Sequence, residues 1–256
     1  MATTDPTLEW RMSGRRLRRA LSVLGALLLA LLIAYGAFEL IDLASRHSFD
    51  VRASYAGVRS LEVDGDSGDV HLTGAPAGSE VAVVEHVTEG LSAPRREALR
   101  GADGALRLTT SCSIVVNNNC SVSYTIAVPP DVAVNAGSGE GDVDANGLSG
   151  TGPLKLSSGN GDVNAIAISA GNVTLESGNG DVNATLDRAP TRLDASSGNG
   201  DVTLTVPDTT YAVHASSGNG TVSDATLRTD PSSPRTITAS SGNGDVTIRA
   251  AGAAGS

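Results

Sequence analysis

Ser158-Gly159-Asn160-Gly161-Asp162-Val163 returns as Ser177 to Val182, Ser197 to Val202 and Ser241 to Val246. Two variants complete the set, Ser138-Gly139-Glu140-Gly141-Asp142-Val143 and Ser217-Gly218-Asn219-Gly220-Thr221-Val222. The third position falls at 140, 160, 179, 199, 219 and 243, in steps of 20, 19, 20, 20 and 24 residues. A fixed period near twenty marks a repeat array with one supersecondary unit per copy.

The residues before each phrase alternate, as in Leu154-Lys155-Leu156-Ser157-Ser158, Val173-Thr174-Leu175-Glu176-Ser177 and Leu193-Asp194-Ala195-Ser196-Ser197. Those after it alternate too: Val163, Ala165 and Ala167; Val182, Ala184 and Leu186; Val202, Leu204 and Val206; Val246 and Ile248. A period of two makes each arm a strand with one buried face. Gly-Asn-Gly between the arms suits a tight reversal with φ > 0 at successive positions. One such unit cannot bury its inner face alone, whereas units stacked about 4.8 Å apart hydrogen-bond above and below. The reading is all-β: a β-solenoid of about 20 residues per coil, filled by Val, Leu, Ile and Ala. A hairpin meander could use the same turns but does not require identical residues at every twentieth place.

Upstream, Arg11, Arg15, Arg16, Arg18 and Arg19 precede an uncharged, Leu- and Ala-rich run from Ala20 to Phe38. At about 1.5 Å per residue this run just crosses a hydrocarbon core of about 30 Å. Arginines before it and Glu39 and Asp42 after it orient the N-terminus to the cytoplasm and the rest outside. The domain reading is a basic cytoplasmic tail (1–19), a transmembrane signal anchor (20–43), a stalk (44–56) and a solenoid (57–250). The solenoid divides into an irregular leading part (57–130) and regular repeats (131–250). A cleaved signal peptide with Ala34-Tyr35-Gly36 at its cut site is the alternative. In the leading part, Ser60-Leu61-Glu62-Val63, Asp69 to Leu72, Glu80 to Val87, Ala105 to Thr109 and Ser121 to Val128 read as strands, and Pro94 to Arg100 as a helical turn. Gly65-Asp66-Ser67-Gly68-Asp69-Val70 is a degenerate copy of the phrase. Cys112 and Cys120 flank Ser113 to Asn119, and in an oxidising compartment they read as a disulfide across an Asn-rich hairpin.

Composition narrows the function. Of 28 acidic and 18 basic residues, four acids and five arginines precede residue 43, leaving 24 against 13 outside. With a net charge of −10 the chain lacks the basic face a nucleic-acid binder needs. His47, His71, His86 and His214 are scattered, without His-x-His or His-Glu-x-x-His, and no Gly-x-Ser-x-Gly elbow sits at a strand-to-helix junction.

Stacking would align Asn160, Asn179, Asn199, Asn219 and Asn243 as an amide ladder, with Asp142, Asp162, Asp181, Asp201 and Asp245 in the next column. The aspartates can accept backbone N–H bonds. Alternatively, carboxylates one coil apart could recruit Ca²⁺, although Thr221 interrupts the column and the spacing differs from calcium nonapeptide repeats. No other cofactor is implied, and no catalytic residue is assigned. The open end near Ile248, covered only by Ala251 to Ser256, suggests end-to-end pairing of copies.

An N-terminal anchor, a strand ending in Tyr124-Thr125-Ile126-Ala127-Val128-Pro129 and serial Gly-Asn-Gly-Asp-Val corners together resemble the bacterial putative-adhesin domain family, over roughly residues 57 to 250. The resemblance implies a β-solenoid ectodomain outside the cytoplasmic membrane, tied in some members to envelope stress systems, and it transfers no catalytic residues. The functional expectation is a non-enzymatic, membrane-anchored protein for surface adhesion or cell-envelope scaffolding. Its partner would be a cell-wall glycan or an envelope protein. The alternatives are a carbohydrate-active β-helix enzyme and a calcium-stabilised surface module.

Overall fold

The computed structural model describes residues 14–44, 46–90, 93–112, 120–150, 152–224 and 226–252. It has two compact units, Met1–Ser45 and Arg46–Ser256. The first contains helix α1, Gly14–Ala44. Its segment Leu21–Phe38 is long and apolar enough to cross a membrane, as a signal sequence would also be.

The second unit is all strand. Its leading part contains β1 (His47–Tyr55), β2 (Ser60–Ser67), β3 (Val70–Gly74), β4 (Val81–Glu89), β5 (Arg95–Arg100), β6 (Ala105–Ser111) and β7 (Ser121–Val128). The repeats supply one strand before and one after each corner: β8 (Ala133–Glu140) and β9 (Val143–Asn146), β10 (Leu154–Ser158) and β11 (Val163–Ile168), β12 (Asn172–Ser177) and β13 (Val182–Leu186). There follow β14 (Arg192–Ser197) and β15 (Val202–Val206), β16 (Thr210–Ser217) and β17 (Val222–Ser223), a short β18 (Arg228–Thr229), and β19 (Thr236–Ser241) and β20 (Val246–Ala250).

The arms before the corners lie in one ten-stranded sheet and the arms after them in another, so the fold is a two-sheet β-solenoid. Within the repeats every named neighbour is parallel and, apart from a shift after Ala165 in β11, in register. Leu156 faces Leu175 and Leu175 faces Ala195, while Val163 faces Val182 and Val182 faces Val202. These side chains are buried to within a few per cent and fill the space between the sheets. Among the described residues Tyr124 and Tyr211 are the largest fully buried side chains. They belong to β7 and β16, toward opposite ends of the stack.

Coil order departs from sequence order at both ends. β2 and β3 pair with β8 and β9 on one side and with β6 and β7 on the other, so the later coil lies farther out. At the far end β19 and β20 insert between the Asn199 coil and the Asn219 coil. Ile248 is therefore an interior residue facing Leu204, and the end of the stack is formed by β16, β17 and β18. This corrects the expectation of an open end at Ile248.

Other expectations change as well. His47–Tyr55, read as stalk, is strand β1 and pairs antiparallel with β4 along its whole length. Arg95–Arg100, read as a helical turn, is edge strand β5, antiparallel to β6. Ala167, read as inward, sits at φ 55° where the register shifts, and Ile168 turns inward instead. The Gly-Asn-Gly glycines of the repeats are not at positive φ, whereas Gly68 of the degenerate copy is, at 124°. They are needed because coils approach too closely for a side chain: a Cβ on Gly178 would lie 2.5 Å from the carbonyl oxygen of Gly159.

Candidate functional site

The chemistry repeated at every corner is organised as three ladders. On the outside, Asn179 Nδ2 donates to Asn160 Oδ1 at 2.8 Å, Asn199 to Asn179 at 2.7 Å, Asn243 to Asn199 at 2.7 Å and Asn219 to Asn243 at 2.6 Å. Beside it, the backbone N–H of Asp162 donates to Asp142 Oδ1, that of Asp181 to Asp162, that of Asp201 to Asp181 and that of Asp245 to Asp201, each at 2.8 Å. Asp69 of the degenerate copy heads this column, receiving Asp142 N–H at 3.0 Å. Thr221 closes it, donating N–H and Oγ1 to Asp245 Oδ1. Because the Asn219 coil lies last, Thr221 is the terminal rung and interrupts nothing.

These bonds decide what the aspartates can do. One oxygen of each is taken up by a neighbouring amide. Among the described residues no three His, Cys, Asp or Glu side chains gather as a metal site requires. The five aspartates lie one per coil along a line, and no calcium centre is assigned to them. Hydrogen bonds from Thr221, first its N–H and then its hydroxyl, hold Asp245 below the ordinary aspartate pKa.

The third ladder was not expected as a site. Ser158 Oγ donates to Gly141 O at 2.7 Å, Ser177 to Gly161 O at 2.8 Å, Ser197 to Gly180 O at 2.7 Å and Ser241 to Gly200 O at 2.8 Å. These serines are only 5–6% exposed. Their signal in the sequence was parity: each occupies an inward position in an otherwise apolar file, where a hydroxyl must find a partner. At the β6–β7 coil, by contrast, the corner is joined by a disulfide between Cys112 and Cys120. Cys112 N–H donates to Asp66 Oδ2 of the adjacent corner at 2.8 Å. The Asn-rich turn proposed between the cysteines, residues 113–119, lies outside the described residues.

Outward side chains form further rows. His71 Nδ1 lies 2.9 Å from Asp144 Oδ2, Asn164 Nδ2 donates to Asp144 Oδ1 at 2.9 Å, and Asn183 Nδ2 to Asn164 Oδ1 at 3.2 Å. His71 thus heads a polar row on one sheet face. On the opposite sheet, Arg107 pairs with Glu62 and Lys155 with Glu176. Beside them a trough of about 550 Å³ is lined by Leu99, Ala105, Ala133 and Pro153.

The irregular end holds the local exception to the repeat. A cleft of about 330 Å³ is lined by Val51, Ala53 and Tyr55 of β1 and by Arg96 and Ala98 of β5. At its base Arg96 donates to Glu85 at 2.6 Å, and the Glu85 side chain is 13% exposed. The guanidinium also lies 5.8 Å from the Phe49 ring centre, a cation–π distance. Burial, followed by the charge of Glu85, pushes the Tyr124 hydroxyl well above the ordinary tyrosine pKa. Its lining charges are paired, Glu85 with Arg96 and Glu97 with Arg95.

The family model Toastrack DUF4097 matches residues 54–255 of the chain. No curated protein matches it significantly. A structure described as a putative cell adhesion protein, from Clostridium sporogenes, superimposes with a TM-score of 0.50 at 12% identity, covering 80% of this chain and 100% of that one. A putative adhesin from Bacteroides fragilis gives a TM-score of 0.46 at 17% identity, covering 80% and 97%. A putative lipid binding protein from Parabacteroides distasonis gives 0.30 at 11% identity, covering 79% and 96%. At 12% identity the likeness to the Clostridium structure is one of fold.

Proposed function

The chain belongs to the Toastrack DUF4097 family, and from that premise we propose that it is a membrane-anchored, extracytoplasmic, non-enzymatic module for adhesion or scaffolding at the cell envelope. Its N-terminal tail lies in the cytoplasm, α1 is the anchor, and the solenoid stands outside. The apolar run Leu21–Phe38 supports the anchor. The arginines before it and the acids after it support the orientation.

One observation carries the reading of the solenoid. The polar groups repeated at every corner are taken up by neighbouring coils through the Ser, Asn and Asp ladders. The repeat therefore makes a stiff body, and its contacts belong to the outward faces. The row His71, Asp144, Asn164 and Asn183 is the contact surface we assign, with a cell-wall glycan or another envelope protein as its partner.

The test is protease treatment of bacteria carrying the full chain, followed by sedimentation of the detergent-solubilised protein with purified peptidoglycan. The expected result is a chain that stays with the membrane and loses its solenoid only to external protease. Binding to the wall that falls when Asn164 and Asn183 are both replaced by Ala completes the expectation. A freely soluble chain, or a solenoid shielded from external protease, overturns the topology. Wall binding indifferent to both substitutions overturns the assigned surface.

A further inference from the structure

The Asn219 coil breaks the repeat at two positions, and both breaks coincide with its place at the end of the stack. Thr221 stands where the other corners carry aspartate. It donates to Asp245 at 2.8 and 3.0 Å but has no carboxylate to receive the amide of a further coil. The second break is Asp224. Val222 faces Val246 and Ser223 faces Thr247, so the next residue in register would face Ile248. In the coils beneath, that file holds Leu204 and Ala184, both buried. A carboxylate has no partner in such a file.

The chain turns away there. β17 stops at Ser223, and Leu227 N–H donates to Asp224 O at 3.0 Å. The returning segment lies along the end: β18 pairs with Thr210 and Tyr211, Leu227 packs against the core, and Ala250 N–H donates to Thr226 Oγ1 at 3.2 Å. This accounts for the inserted coil. Thr236–Ala250 carries Asp245 and Ile248 and fits between two coils, whereas Thr210–Ser223 followed by Asp224 fits only at the end.

We propose that residues 210–224 and 226–229 are a built-in end piece that keeps a second copy of the chain from adding to the stack. An in-register array is a template, and a free edge of a flat sheet pairs with other chains. β16 is paired over Ala212–Ser217 by β19 on one side, and Val222 is 44% exposed. A two-residue terminal strand, after which the chain turns away at the charged Asp224, denies the second sheet a matching edge. Very short edge strands and inward-pointing charges are devices that blunt such edges.

The test measures the mass of the full chain in detergent micelles by analytical ultracentrifugation across a range of protein concentrations, for the native chain and Asp224→Leu. The native chain is expected to keep one protein mass throughout. Asp224→Leu lengthens β17 along β20 and should give a species of about twice that mass, growing with concentration, through edges paired about a two-fold axis. A native chain that doubles, or a folded Asp224→Leu that stays single, overturns the proposal. Should Asp224→Leu fail to fold, Ser223→Cys in the otherwise native chain decides. Little oxidative dimer supports the stop, and efficient, concentration-dependent dimer overturns it.

Discussion

Asn243 donates its side-chain amide to Asn199 at 2.7 Å across 44 residues of chain, while Asn219, which follows Asn199 directly in the series, bonds to Asn243 instead. Chain order is therefore not stack order. Chain order and stack order also differ toward the other end, where β6 and β7 lie outside β2 and β3. There the corner is closed by the Cys112–Cys120 disulfide. The Asn160, Asn179, Asn199 and Asn243 coils, all interior, carry the full phrase; the β2–β3 and Glu140 coils are interior variants, and Thr221 stands in the coil at the end.

Gly178→Ala should be among the most damaging small substitutions in the array. Its Cβ would lie 2.5 Å from Gly159 O, a backbone atom that cannot step aside without parting two coils. The expected loss is about 3 kcal/mol or more, at the upper range for overpacking. Gly171→Ala is the control. Nothing lies within 4 Å of its added methyl, and the change should stay within about 0.5 kcal/mol. Denaturant midpoints of the two variants check the contrast, and equal losses would mean that close approach is not what the corner glycines serve.

Ser177→Ala removes a hydroxyl that is 6% exposed and leaves Gly161 O without its side-chain donor at 2.8 Å. An unsatisfied buried group costs about 1–3 kcal/mol. The same substitution at outward Ser196 should cost a few tenths at most. Urea unfolding of both variants separates a buried ladder from a merely polar corner.

The strands of the repeats were legible because alternation of apolar and polar residues survives without knowledge of the neighbours. The role of the glycines was not. Gly-Asn-Gly permits both positive φ and close approach, and only the distance between coils discriminates them. Strand β1 carried a period-two signal in Val51, Ala53 and Tyr55, but it follows the apolar helix so directly that it read as a stalk. β5 had no such signal, since all six of its residues are exposed. Coil order was visible only as two misfits, Thr221 and Asp224, which acquire meaning once their neighbours are known. The Asn and Asp columns followed from the period alone, whereas the Glu85–Arg96 recess joins β4 to β5 across the two sheets and left no local pattern.

Asp245 gives the array an acid-sensitive end. Hydrogen bonds from Thr221, first its N–H and then its hydroxyl, hold its pKa in the folded protein below the ordinary aspartate value. A depressed folded value stabilises above the unfolded pKa, and that contribution is lost as pH falls through the folded one. Thr221→Val removes the hydroxyl donor and keeps the N–H. The difference in melting temperature between the native chain and Thr221→Val should therefore be present at neutral pH and shrink below about pH 4. A gap that is constant with pH would show that the hydroxyl acts through packing alone.

Leu204→Asp would put a carboxylate inside the inward file, which the chain leaves before native Asp224. Leu204 is fully buried between Ala184 and Ile248. An aspartate there has coils on both sides and no cation among its register neighbours, so ionised it is prohibitive and protonated it still lacks hydrogen-bond partners. The variant should lose cooperative folding at neutral pH, with the transition partly restored under mild acid as the carboxyl takes up a proton. Asp224 avoids that cost because β17 ends one residue before it and the chain turns outward. Circular dichroism melts of Leu204→Asp at neutral and mildly acidic pH provide the check. A variant that melts like the native chain would mean that residue 204 does not face the filling, and with it would go the parity on which the placement of Asp224 rests.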